Sequence, residues 1–152
     1  MEQEKRPGGL TALAVFNFIF AGLGVIGFIG FAALLGLKNV IPTENMQPDQ
    51  KAQFEAFQEM GTMVFVALLA LMLVSIVLEI ISGVGYLKQK RGMGWRVGNV
   101  YAVFSMVSGI VSGLMMKPEL GGGFNIGAII GFVYPVLTLF LLNSTFKEGF
   151  TN

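Results

Sequence analysis

The stretch Leu71–Tyr86, "LMLVSIVLEIISGVGY", decides how this chain is read. Its one charged residue is Glu79, and no lysine or arginine follows until Lys88. Extended back to Thr62 and on to Leu87, the run is apolar on every side rather than along one stripe, as expected of a buried or membrane helix. About 20 such residues, rising 1.5 Å each, cross a hydrocarbon layer of roughly 30 Å. Lipid is therefore the solvent. An ionised carboxylate in lipid costs several kcal/mol, so Glu79 must be neutral, paired or hydrated.

Working outward, three further stretches meet the same length requirement. The four spans are expected at about residues 10–37, 62–87, 95–116 and 124–143, in one membrane domain covering residues 1–152. The first apolar run continues well past the roughly 7–15 residues of a signal-peptide core, so it is read as an anchor. Composition agrees. The chain is 54% hydrophobic and 12% charged, with mean hydropathy +0.72, whereas soluble domains are about a quarter charged. A net charge of +1 argues against nucleic acid, which needs a dense basic patch. There is no Cys and no His, which removes thiol chemistry and the commonest metal ligand and general base. No metal, no cofactor and no enzymatic activity are expected.

Basic residues set the expected orientation. The hairpin between spans two and three carries Lys88, Lys90, Arg91 and Arg96; Lys5, Arg6 and Lys147 fall on the same side if the chain crosses four times. The other side has Lys38, Lys51 and Lys117 against Glu44, Asp49, Glu55, Glu59 and Glu119. The positive-inside rule then places both termini in the cytoplasm of a bacterial-type inner membrane. In the longer outer loop, residues 38–61, "PDQKAQFEAFQEM" spaces Phe54, Phe57 and Met60 as one helical face. Pro48 suits a first helical turn. A short amphipathic helix at about residues 48–60, capping the bundle or lying on the outer surface, is expected.

Lipid gives helices no hydrophobic reason to associate, so small residues and interhelical hydrogen bonds must do it. Span one repeats Gly24, Gly27 and Gly30; span three has Gly98, Ser105, Gly109 and Ser112; span four has Gly127 and Gly131. A compact four-helix bundle packed through these positions is predicted. Glu79 shares its face with Ser75, Gly83 and Tyr86. Counting residues from the basic ends puts Glu79, Asn17, Tyr134, Asn99 and Thr138 in one half of the membrane. With Ser75 they form the candidate intramembrane polar cluster.

"RPGGLTALAVFNF" at span one and "SGVGYLKQKRGMGWRVGNVYAVFS" across the basic hairpin carry a resemblance. The chain resembles the broad class of small bacterial four-span membrane proteins, which implies a fold but no particular activity. The leading functional expectation is an accessory or assembly subunit, packing against other membrane subunits or copies of itself through Phe-rich faces. The alternative is a small transporter or channel using Glu79 as a proton or cation site.

Overall fold

A computed structural model of the chain describes residues 7–123 and 125–151. Lys5, Arg6 and Phe124, on which parts of the sequence reading rest, lie outside them. Five α-helices and no β-strand occur among the described residues: α1 (Gly8–Leu37), α2 (Pro48–Gln58), α3 (Thr62–Leu87), α4 (Val97–Met115) and α5 (Ile126–Asn143). Four of these, α1, α3, α4 with the turn preceding it, and α5, are long and apolar enough to cross a membrane. The chain is an all-helical membrane protein.

Helix ends follow local chemistry. Pro48 opens α2 at a position whose N–H has no helical partner in any case. The Asn125 side chain accepts a hydrogen bond from the Ala128 backbone N–H, capping α5. The six residues Arg91–Arg96 wind as a π-type turn leading directly into α4, so the third span starts earlier than the apolar run does. Gly85 and Gly94 make this hairpin tight. A Cβ on Gly94 would stand 2.9 Å from the Gly85 carbonyl oxygen, closer than real Cβ atoms come to backbone. Gln89 sits in the left-handed region at φ 50°. Its carbonyl accepts from the Thr151 N–H at 2.7 Å, while the Arg91 N–H donates to the Thr151 carbonyl at 2.8 Å. The end of the chain is thereby clasped to the hairpin.

The packing order is α1 on α3, α3 on α4, and α4 on α5. The side between α5 and α1 is the loosely closed one. Two apolar cores hold the ends. At the hairpin end Leu10, Leu13, Ala14, Tyr86, Leu142 and Phe150 are buried together. At the opposite end α2 folds back so that Phe57, Met60, Phe65 and Leu68 form a second core, with Phe31 beside them. Phe57 meets Phe65 edge-on at 4.5 Å between ring centroids. Between these cores the bundle middle is occupied by polar side chains and open volume.

The glycine pattern is used selectively. Gly24 faces Ile76, Gly27 faces Met72, Gly98 lies under Tyr86 and Leu142, and Gly109 faces Phe132. These are true helix contacts. Gly30 and Gly131 have nothing within 4 Å, and Gly127 meets only the Asn125 side chain. These three do not serve the packing expected of them: they sit on helix faces that meet no neighbouring helix, while Phe31 on another face of α1 still packs on Phe65 of α3. Ser105 and Ser112 line open volume rather than a closed seam.

Candidate functional site: a polar hub and an intramembrane cavity

Asn17 is fully buried on α1. Its amide nitrogen donates to Ser82 Oγ at 2.7 Å and to the Glu79 backbone carbonyl at 3.3 Å. Its amide oxygen accepts from the Tyr134 hydroxyl of α5, which also reaches the Leu13 carbonyl at 3.2 Å. One side chain thus joins α1, α3 and α5. The sequence forces a contact of this kind: a buried amide in lipid is costly unless its donors and acceptor are all used. Gly83 makes room for it, since a Cβ there would lie 3.4 Å from Asn17 Cβ and 3.1 Å from the Phe18 ring.

Glu79, one helical turn from Ser82, points its side chain elsewhere. The residue is 8% exposed. Oε1 accepts from the Tyr101 hydroxyl of α4 at 2.9 Å, and Oε2 has no hydrogen-bond partner among the described residues. The carboxylate borders a cavity of about 360 Å³ whose wall includes Ser75, Ser105, Ser108, Ser112 and Phe132. A second volume of about 410 Å³ adjoins it, bordered by Tyr101, Ile130, Tyr134 and Pro135. Phe20, Glu79, Ser105 and Gly131 line both. No basic residue lines either one. Pro135 supplies no N–H, so the Gly131 carbonyl lacks its helical donor at the cavity wall.

Aromatic rings surround the carboxylate on the open side. Phe20 and Tyr134 stand 4.8 Å apart and Tyr101 and Tyr134 6.5 Å apart, all tilted. The structure therefore brings together Glu79, Asn17, Tyr134 and, along the cavity wall, Ser75. It does not bring in Asn99, which donates to the Trp95 carbonyl at 2.7 Å and accepts from Asn143 at 2.5 Å near the hairpin. Thr138 is buried but its hydroxyl has no partner among the described residues.

Two residues of the site, Tyr101 and Ser82, were not among the candidates drawn from sequence. Both were visible by period. Ser82 follows Glu79 by three residues. Tyr101 lies between Gly98 and Ser105 on the same face of α4, where a search for small residues passes over a tyrosine. Among the described residues no group of acidic or imidazole and thiol side chains could hold a metal ion, and the four basic residues Lys88, Lys90, Arg91 and Arg96 stay at the hairpin. There Arg91 lies over the Trp95 ring at 5.7 Å.

The fold and site define a class: a polytopic helical membrane protein with a carboxylate-bearing cavity inside its bundle. Compared with protein-family models, curated proteins and solved structures, the chain has no significant match.

Proposed function

We propose that the chain is a small, non-catalytic transporter or binding protein of a bacterial-type cytoplasmic membrane, with both termini inside and α2 outside, and that Glu79 is its proton or cation site. The observation that carries the reading is the division of labour between two neighbouring side chains. Asn17 is saturated by hydrogen bonds and locks three helices. Glu79 has one oxygen held by Tyr101 and stands at the wall of an open volume lined by serines. Oε2, with no hydrogen-bond partner among the described residues, is left as an acceptor for a proton or cation. Intramembrane acids that face a cavity mark ion or proton pathways in membrane proteins. The orientation rests on the basic hairpin and on the acidic character of the α2 end.

The test is flux. Purified protein in liposomes loaded with a pH-sensitive dye is expected to equilibrate a proton or cation gradient faster than empty vesicles, and Glu79→Gln to abolish the difference. Equal rates for wild type, variant and empty vesicles would overturn the reading.

The assembly-subunit reading has its own support. Gly22, Gly30 and Gly36 on α1 have no neighbour within 4 Å, and close backbone approach is what another transmembrane helix needs. Extraction in mild detergent with mass spectrometry of the co-purifying chains tests it. Recovery of the chain alone as a monomer would count against it.

A further inference from the structure

Pairing a buried carboxylate with a cavity whose wall is part serine and part apolar restricts what can occupy that cavity. An anion is excluded, because Glu79 is the charged group on the wall and no lysine or arginine lines either volume. A wholly apolar occupant would exclude water from Glu79 Oε2 and give it no partner, which leaves a buried acceptor at full cost. A hydrated inorganic ion would use Glu79 and the serine hydroxyls but leave the apolar part of the wall, Phe20, Ile76, Phe132 and Ile130, without a contact. The remaining occupant carries a positive group at one end and an apolar body at the other. Phe20, Tyr101 and Tyr134 stand around the carboxylate, and aromatic faces attract cations within about 6 Å of the ring centre. Each volume, at about 360 and 410 Å³, falls in the size range of pockets for drug-sized molecules.

The route of entry follows from the packing. α1 packs on α3 and α5 on α4, while α1 and α5 are tied by the Tyr134 contacts to Leu13 and Asn17. Outward of that tie, Ile130 and Val133 of α5 and Leu23 and Ile26 of α1 are exposed. Phe20 and Gly131 line the cavity from these two helices. A solute dissolved in the hydrocarbon reaches the carboxylate sideways, between α1 and α5.

Resting on the reading of Glu79 as a cation site, we infer that the site takes an amphiphilic organic cation, a quaternary or protonated amine or its phosphonium equivalent on an apolar body, that enters from the lipid between α1 and α5. Its positive group lies against Glu79 and the surrounding rings, and its apolar body extends along Ile76 and Phe132.

The experiment uses the whole protein in nanodiscs of zwitterionic lipid, with radiolabelled tetraphenylphosphonium as the probe and empty nanodiscs as the partition control. Saturable binding above the control is expected, displaced by a quaternary alkylammonium and not by an alkyl sulfate of equal chain length. Glu79→Gln is expected to weaken it at least about tenfold. Gly131→Leu should weaken it comparably by filling the cavity, since Gly131 lines both volumes and a Cβ there meets nothing within 4 Å, and this variant keeps the carboxylate itself. Binding no greater than the control, or binding that neither variant changes, overturns the inference. Glu79-dependent flux of protons or sodium in liposomes, measured on the same preparation, then separates the two failures. Flux without phosphonium binding removes only the organic ligand, and loss of both removes the cation-site reading as well.

Discussion

Replacing Asn17 with leucine removes a side chain whose hydrogen bonds tie α1 to both α3 and α5. The volume changes little, so the cost is that of the hydrogen bonds. Three interhelical bonds are lost, to Ser82, from Tyr134 and the longer one to the Glu79 carbonyl, which still accepts from Ser82 Oγ at 3.1 Å; interhelical bonds of this kind in membranes contribute on average about 0.6 and at most about 1.7 kcal/mol each. The partners are not orphaned. Ser82 Oγ still donates to the Leu78 carbonyl at 2.7 Å, and the Tyr134 hydroxyl still has the Leu13 carbonyl at 3.2 Å. The expected loss is therefore about 1–3 kcal/mol, with no added penalty for a buried unpaired group. Asn99→Leu is the matched control. Asn99 bonds to the Trp95 carbonyl in the turn that leads into α4 and to exposed Asn143 of α5, where water competes, and about 0.5 kcal/mol or less is expected. Unfolding in mixed micelles by steric trapping measures both. If Asn17→Leu costs no more than Asn99→Leu, the hub is not what joins the helices and the reasoning fails.

Other expectations follow from single contacts. Gly98→Ala should cost about 1–3 kcal/mol by overpacking, because its Cβ would lie 2.7 Å from Leu142 Cδ1 and 3.0 Å from the Tyr86 ring. Gly30→Ala, with open space around it, should be neutral or slightly stabilising, and a melting comparison that reversed this order would contradict the packing. Tyr101→Phe should leave the fold intact but change the pH profile of any Glu79-dependent flux, since it removes the sole hydrogen bond to the carboxylate among the described residues; an unaltered profile would show that Tyr101 does not set the state of Glu79. At the α2 end, the Lys117 ammonium hydrogen-bonds and attracts the Glu59 carboxylate, holding it below the ordinary carboxylate value of 4.5. A depressed folded value means the contact contributes fully above about pH 4.5 and is lost as pH falls through that lower value. Spin labels at Glu55 and Glu119 should therefore report a broadened distance on acidification below pH 4.5, and an unchanged distribution down to pH 3 or so would refute the tether. The pair is exposed, so high salt should weaken it at neutral pH too.

How much of the site was legible varies by residue. Glu79 and Asn17 stood out because a polar group in a lipid-facing run is costly wherever it ends up, and cost is a local property. Tyr134 was placed with them by depth, which the helical rise sets. Asn99 was placed with them by the same count and wrongly so. Depth fixes height along the membrane normal but not azimuth, and Asn99 turns towards Asn143 rather than towards Glu79. Gly30, Gly127 and Gly131 show the same limit. Their spacing permits close helix approach, but whether a neighbour arrives depends on which face each helix turns to the others.

The sequence by itself determined that the chain lives in lipid and crosses it as helices, because the bilayer demands about 20 apolar residues and internal satisfaction of every backbone bond, and both are read segment by segment. It also determined that Glu79 and Asn17 needed partners. Only the tertiary structure decided which ones. Tyr101 reaches Glu79 from a different helix, and Asn17 meets Ser82 and Tyr134 across two interfaces. Those meetings depend on the rotation of each helix about its axis and on the gap left between α1 and α5. Rotation and gap are set by all the side chains at the interfaces together, and no single stretch of the chain contains that information.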